Sequence, residues 1–182
     1  MEERNKILEV KNLKTHFHTF QGVVKAVDDV SFDLYEGEIL GIVGESGGGK
    51  SITGFSLINL IEEPGRIVQG EINFEGKNIV KKSEFEMNKI RGKKISMIFQ
   101  EPMTSLNPVY TIGRQLEEVL ILHENLSMAQ RHKRCVELLN SVGISNAEKR
   151  LQNYPHEFSG GMRQRVVIAI ALASNPKIII AD

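Results

Sequence analysis

The residues with the clearest chemistry lie in one glycine-rich run early in the chain. This run matches the pattern G-x-x-x-x-G-K-[ST] at every position, and it reads Gly44-Glu45-Ser46-Gly47-Gly48-Gly49-Lys50-Ser51. Glycines allow a curled backbone whose N–H groups point inward and can bind phosphate oxygens. The lysine can reach the terminal phosphates, and the serine hydroxyl can be a ligand of Mg²⁺. The run therefore predicts a site for a polyphosphate and Mg²⁺.

The segments on either side of this run support the same prediction. The nearly continuous apolar run Glu38–Val43 is typical of a strand buried on both faces. Residues Ser51–Ile61 have helical spacing, and the positive end of that helix would face the bound anion. A strand, a glycine loop and a helix in this order favour a phosphate site over a flexible turn.

Three weaker signals follow later in the chain. The run Ser159-Gly160-Gly161 begins a predicted helix, where exposed N–H groups could bind a second anion. Asp182 ends the predicted strand Ile178–Ala181, and Gln100 follows the predicted strand Ile95–Phe99. Taken alone, these residues are most simply a helix cap, a turn residue and a polar residue after a strand.

The hydrophobic pattern predicts an α/β core interrupted by a helical subdomain. The predicted strands are Ile7–Val10, Leu13–Phe20, Val23–Leu34, Glu38–Val43, Glu71–Phe74, Ile95–Phe99 and Ile178–Ala181. The predicted helices are Ser51–Ile61, Ser83–Arg91, Thr111–Glu124, Ser127–Val142 and Ser159–Ser174, and a capping box is predicted from Ser83 and Glu86.

Composition excludes several classes of protein. The 182 residues carry 23 basic and 23 acidic side chains, so no net charge attracts nucleic acid or an acidic membrane. The single cysteine, Cys135, excludes an intramolecular disulfide. The longest strictly apolar run, Val166–Ala173, is too short to cross a bilayer, and the charged N-terminus lacks a signal peptide. We therefore expect an intracellular, soluble chain.

Together, the four signals and their order resemble the ATP-binding subunits of ABC transporters over essentially the whole chain. The stretches Met97–Pro108 and Tyr154–Arg165 are similar to the dipeptide and oligopeptide importer branch, which also contains nickel importers. The resemblance implies a P-loop NTPase core with an N-terminal antiparallel β part and an inserted helical subdomain. The expected divisions are a nucleotide-binding core over residues 1–100, the helical subdomain over 101–174, and a final segment over 175–182. That final segment contains the strand that ends at Asp182, the aspartate expected to hold Mg²⁺.

The resemblance also assigns ligands to matching positions. It implies ATP and Mg²⁺ as cofactors, with Phe17 stacking on adenine and Ser159, Gly160 and Gly161 binding the γ-phosphate of an ATP held by the opposite subunit. Mg²⁺ would be held by Ser51, Gln100 and Asp182, and the catalytic assignments are Gln100 and Asp182. The residues expected to bind the nucleotide in the same subunit, besides Phe17, are Gly44, Glu45, Ser46, Gly47, Gly48, Gly49, Lys50, Ser51 and Ile52.

The implied partners are a second ATPase subunit arranged head to tail, two integral membrane permease subunits and, indirectly, a solute-binding protein. The implied location is the cytoplasmic face of the cell membrane. The segment after Gln100 would face the membrane subunits. No nucleic-acid partner is expected.

The sequence departs from the family pattern in a few places. Gly48 stands where serine is common, and Phe158 and Met162 replace the usual leucine and glutamine. In the family, the residue after the position of Asp182 is a catalytic glutamate, and a switch histidine follows later. The C-terminal part of the core is thus expected to be missing, and this chain is expected to bind nucleotide with weak hydrolysis or none.

Three functions remain open from the sequence. The first is an ATPase subunit that powers import of dipeptides or oligopeptides, and the second is the same subunit of a nickel or other small-solute importer. The third is a nucleotide-binding module without hydrolysis. An ATPase acting on nucleic acid is disfavoured, because the chain has neither a second ATPase unit nor a long coiled-coil insert.

Overall fold

The computed structural model describes residues 5–100 and 105–182. The chain divides into two compact units, Met1–Asn88 and Lys89–Asp182. The first unit is built around a four-stranded antiparallel sheet in the order β2-β1-β3-β4. The strands are β1 (Lys6–Thr19), β2 (Gly22–Tyr35), β3 (Gly65–Phe74) and β4 (Lys77–Asn78).

Strand β1 is the centre of this sheet, because it pairs with both β2 and β3. The sequence predicted two strands here, whereas the structure has one strand with a bulge. The pairing register shifts after Val10 on the β2 side, and Asn12 has a positive φ of 48°. On the β3 side, Gly70 has a φ of 107°, and a Cβ there would lie 2.6 Å from the Cα of Leu13. The bulge therefore needs a residue without a side chain on the neighbouring strand.

Helix α1 (Lys50–Leu57) packs against the first sheet through a buried polar pair. The Oγ1 atom of Thr15 lies 2.8 Å from the Oγ of Ser56, and both residues are fully buried. Ser56 donates its own proton to the Ile52 carbonyl at 2.6 Å, so Thr15 must be the donor between the two hydroxyls. The helix ends at Leu57, four residues earlier than predicted, and Asn59 turns the chain with a φ of 50°.

The prediction of a strand over residues 38–43 is wrong. These residues form no strand, and among the described residues none pairs with them. Ile39 and Val43 are almost fully exposed. An apolar run indicates a preference for burial, but a strand also needs a neighbour for its backbone hydrogen bonds, and a local pattern does not supply one.

Helix α2 (Glu84–Met87) confirms the predicted capping box. The Glu86 amide donates to the Ser83 hydroxyl at 3.4 Å, and the Ser83 amide donates to the Glu86 carboxylate at 3.0 Å. The pKa of Glu86 falls to about 2, mainly because Lys82 donates a hydrogen bond to its carboxylate. The helix is shorter than predicted, since the extension to Arg91 is not helical.

The second unit combines a two-stranded parallel sheet with a helical cluster. Strands β5 (Ile95–Ile98) and β6 (Ile178–Ala181) pair in parallel. The remaining elements are α3 (Ile112–His123), α4 (Met128–Ser141), α5 (Ala147–Arg150), a 3₁₀ turn (Pro155–Glu157) and α6 (Gly160–Leu172). Fully buried side chains from three helices form the core, among them Ile112, Leu116, Leu120, Leu139 and Val166.

Local signals fix the starts of the three long helices, as predicted. The side chains of Thr111, Ser127 and Ser159 each accept a hydrogen bond from an amide three residues later. Cys135 on α4 is completely buried, and this burial raises the pKa of its thiol to about 12. Within residues 5–100 and 105–182, no helix combines the length and apolarity that a membrane span requires.

The pair between Thr15 and Ser56 predicts an unequal response to mutation. Ser56→Ala should lower the free energy of unfolding by about 1–3 kcal/mol, because it leaves a buried hydroxyl donor without an acceptor. Adding Thr15→Val removes that donor and should restore part of the loss. Urea unfolding of the two single variants and the double variant checks this, and strictly additive losses would contradict the assignment.

Candidate nucleotide-binding site

The glycine-rich run forms a curled, exposed loop that leads directly into α1. The Gly48 amide donates to the Glu45 carbonyl at 3.0 Å and closes a turn. Gly47 and Gly49 have φ values of 78° and 82°, in the left-handed region that favours glycine. Ser46 and Gly47 lie on the solvent side of this turn. The loop therefore has the curled backbone that the sequence predicted.

Gly49 is the point at which the loop meets the sheet. A Cβ at this position would lie 2.1 Å from the carbonyl oxygen of Ala26 on β2, a distance that no side chain allows. The Gly49 carbonyl accepts hydrogen bonds from the Thr53 amide at 2.8 Å and the Thr53 hydroxyl at 2.9 Å. The last residue of the loop is thus fixed between β2 and the first turn of α1.

Lys50 lies inside the curl of the loop. Its Nζ donates to the carbonyls of Gly44 at 2.8 Å and Glu45 at 2.7 Å. The ammonium group is therefore held at the beginning of the loop, beside the first turn of α1. Ser51 and Ile52 follow in that turn and are half-buried. This arrangement places a cation, glycine amides and a helix N-terminus together, which is the combination that binds phosphate.

Phe17 lies near the end of β1, where it pairs with Val24 and Gly65. Its ring is half-buried, and a Cβ on Gly65 would lie 2.5 Å from its Cε1 atom. The edge of the Phe17 ring therefore lies directly against the backbone of Gly65, which has no side chain. Stacking of Phe17 on adenine stays a prediction.

In the second unit, the predicted anion site is the start of α6. Ser159 caps the helix, and its hydroxyl accepts a hydrogen bond from the Met162 amide at 3.3 Å. Gly160 and Gly161 are exposed, and a Cβ at either would meet no atom within 4 Å. The first turn of this helix of 13 residues is therefore open to a ligand.

Gln100 and Asp182 lie at the same edge of the parallel sheet. Gln100 follows β5 by two residues, Asp182 follows β6 directly, and the Asp182 amide donates to the Ile98 carbonyl at 3.0 Å. Both side chains are exposed. The carboxyl ends of parallel strands are a common place for ligand-binding residues. Residues 101–104, where contacts with membrane subunits are predicted, lie outside the described residues.

The predicted residues thus form two groups, one in each unit. The loop and Phe17 belong to the first unit, whereas Gln100, Asp182 and the start of α6 belong to the second. In the described part of the chain, no three His, Cys, Asp or Glu side chains are close enough to hold a metal ion.

Sequence reasoning missed one contributor to the site. The carbonyl of Ala26 sets the position of Gly49, yet Ala26 carries no functional group and lies 23 residues earlier. Its contribution is a backbone contact between segments that are distant in the sequence. The only signal for this contact in the sequence is Gly49, the residue that the Ala26 carbonyl approaches.

A sequence model described as "ABC transporter" matches residues 27–182, which is most of the chain. The chain belongs to the ABC transporter family. The match begins in β2 and includes the loop, the start of α6 and Asp182.

Two curated relatives of this ABC protein are peptide-transport proteins by name. It is 57% identical over 178 residues to the oligopeptide transport ATP-binding protein OppD of Bacillus subtilis (strain 168), covering 97% of this chain and 50% of that protein. It is 54% identical to the dipeptide transport ATP-binding protein DppD of Lactococcus lactis subsp. cremoris (strain MG1363), covering 97% and 51%. The chain spans about half the length of these relatives.

Solved structures support the fold of an ABC cassette. The dimeric ATP-binding cassette MJ0796, in a post-hydrolysis state bound to ADP and Pi, has a TM-score of 0.86 and 31% identity, covering 97% of this chain and 73% of that one. A second dimeric structure of MJ0796, described as a bacterial ABC transporter cassette, has a TM-score of 0.85 at the same identity and coverage. The predicted α/β fold with an N-terminal antiparallel sheet is therefore confirmed.

The loop offers a matched pair of glycine variants. Gly47→Ala and Gly49→Ala both place a side chain at a positive φ, which costs about 1–2 kcal/mol. Only Gly49→Ala also drives a Cβ into a backbone carbonyl, so it should lower the free energy of unfolding by about 1–3 kcal/mol more.

Chemical unfolding of both variants measures this difference. Equal losses would mean that Gly49 is not held against Ala26.

Proposed function

We propose that this chain is part of an ATP-binding subunit that hydrolyses ATP to power the import of dipeptides or oligopeptides across the cytoplasmic membrane. The observation that carries the proposal is the curled loop of residues 44–51, with Lys50 held inside it. Membership of the ABC transporter family and the peptide-transport names of its relatives support the rest.

The shape and charge of the loop suit the phosphates of a nucleoside triphosphate. Its glycines are exposed or half-buried, and the left-handed φ values of Gly47 and Gly49 expose backbone amides that bulkier residues would not. Lys50 would neutralise part of the phosphate charge, and the dipole of α1 would add to it. Phe17 would contact the base.

Mg²⁺ would be held by Ser51, Gln100 and Asp182, which supply the hard oxygen ligands that this ion prefers. The bound ion would neutralise charge that develops on the transferred phosphate. Among these residues, Asp182 supplies the one negative charge, so it would contribute most of the attraction for the cation. Gln100 would orient the attacking water through its amide.

The open start of α6 supports assembly as a head-to-tail dimer. Ser159 presents a hydroxyl and Gly160 and Gly161 are exposed, and in such a dimer they would bind the γ-phosphate of ATP on the second subunit. The similarity to a dimeric cassette agrees with this arrangement. Two permease subunits would hold the pair at the inner face of the membrane, with a solute-binding protein delivering the solute outside.

Binding of MgATP to the full-length protein tests the proposal. Lys50→Ala should weaken binding at least 100-fold, because it removes the cation enclosed by the loop. Lys81→Ala is the matched control: it removes the same charge from an exposed position outside the loop and should leave the affinity within twofold.

Isothermal titration calorimetry on both variants gives the two dissociation constants. Equal affinities for MgATP in the wild type and Lys50→Ala would overturn the proposal. Uptake of a labelled tripeptide by the assembled transporter, compared with uptake of Ni²⁺, would then separate the two solute classes.

A further inference from the structure

A row of three residues crosses the first sheet near the end of β1. Phe17 on β1 pairs with Val24 on β2 and with Gly65 on β3. Residues directly opposite each other on paired strands point to the same face of a sheet. Thr15, two positions earlier on β1, points to that face too, and its hydroxyl contacts α1. The row therefore lies on the face of the sheet against which α1 packs, and α1 begins at the loop of residues 44–51.

The Phe17 ring occupies the space that a side chain on Gly65 would need. A Cβ at residue 65 would lie 2.5 Å from the Cε1 atom of the ring, 2.8 Å from its Cζ atom and 2.7 Å from the Cγ2 atom of Ile61. These are the three nearest atoms, and all of them belong to side chains. The ring therefore leans from β1 over the backbone of β3, with the Ile61 methyl group beside it.

The backbone beneath the ring is fixed by hydrogen bonds. The Gly65 amide donates to the Glu62 carbonyl at 2.9 Å, and the His18 amide donates to the Pro64 carbonyl at 3.2 Å. Moving this backbone away from the ring would break these bonds. Ile61 is branched at Cβ and has few alternative rotamers, so a methyl group on residue 65 would have to displace the ring.

On the β2 side of the ring, the surface of the sheet is open. Val24 is 55% exposed, although it lies opposite an aromatic residue. Because the ring leans towards β3, it leaves Val24 uncovered. The half-buried ring and the exposed valine therefore offer adjacent apolar surfaces to a ligand.

We propose that Gly65 is a positioning residue for the base of the bound nucleotide. Because it has no side chain, the Phe17 ring can lie over β3, and the base can then stack on the ring and contact Val24. The proposal rests on the function proposed above, since it assumes a nucleoside triphosphate in the loop of residues 44–51. It gives β3, which contains none of the residues predicted from the sequence to bind nucleotide, a part in nucleotide affinity.

The chemistry of this row defines the part of the ligand that it would bind. The side chains of Phe17 and Val24 have no hydrogen-bonding groups, so they would select a planar base without distinguishing one base from another. The triphosphate would be bound by the loop instead. A ligand that has the phosphates but no base should therefore bind equally well whatever residue stands at position 65.

Binding of two ligands to the full-length protein tests the proposal. Gly65→Ala should weaken binding of MgATP about fivefold or more, because the displaced ring would take the place of the base. The affinity for magnesium tripolyphosphate should stay within twofold. Isothermal titration calorimetry gives both dissociation constants.

Gly76→Ala is the matched control. It adds a methyl group in open space at the turn between β3 and β4, at a φ of 73° that strains the same sheet without touching the ring. Both affinities should stay within twofold in this variant. An unchanged affinity of Gly65→Ala for MgATP would overturn the proposal, as would an equal loss of affinity for both ligands.

A double variant shows whether Gly65 acts through the ring. Phe17→Ala alone should weaken MgATP binding about fivefold or more. Adding Gly65→Ala should then change the affinity less than twofold, because no ring remains to be displaced. Losses that multiply in the double variant would mean that Gly65 acts independently of Phe17, and they would overturn the proposal.

If Gly65→Ala alone does not fold, it is combined with Ile61→Ala. This second substitution removes the Cγ2 atom from the shared space and leaves the collision with the ring. The combined variant should then bind MgATP about fivefold or more weakly than Ile61→Ala alone, and equal affinities would overturn the proposal. Intact MgATP binding in Lys50→Ala would instead reject the proposed function, whereas a loss in Lys50→Ala without one in Gly65→Ala would reject only the role of Gly65.

Discussion

The close approach of the loop to β2 is the constraint on which the candidate site depends. At Gly49, the chain passes so near the Ala26 carbonyl that no side chain fits between them. This contact fixes the end of the loop, and Thr53 then fixes the start of α1 through two hydrogen bonds to the same residue. The curl around Lys50 follows from these anchors, since its first and last residues are both held.

Features set by neighbours in the sequence were predictable. The caps of the long helices and the capping box of α2 depend on residues three positions apart, so the sequence shows them directly. The glycine loop and the helix after it were predictable for the same reason. Of the site, the sequence indicated residues 44–51, Gln100, Ser159 and Asp182. The loop leads into the start of α1 and Ser159 caps the start of α6, whereas Gln100 and Asp182 follow the ends of β5 and β6.

Features that depend on distant partners were not predictable. The apolar run over residues 38–43 has the composition of a buried strand but no partner among the described residues. The break predicted after Val10 is a bulge within one strand, because Gly70 on β3 accommodates it. Gln115 carries no motif, and its buried hydrogen bonds depend on where the loop containing Asn107 and Tyr110 folds. In each case the deciding contact joins residues that no local pattern relates.

The burial of Cys135 has a practical consequence. It is the only cysteine in the sequence, it is completely enclosed in the helical core, and its thiol stays protonated far above neutral pH. Maleimides and methanethiosulfonates react with the thiolate form of cysteine, so Cys135 in the folded chain should not be labelled by such reagents. A cysteine introduced on the surface would be the one attachment point for a spin label or fluorophore, with no need to remove the natural residue.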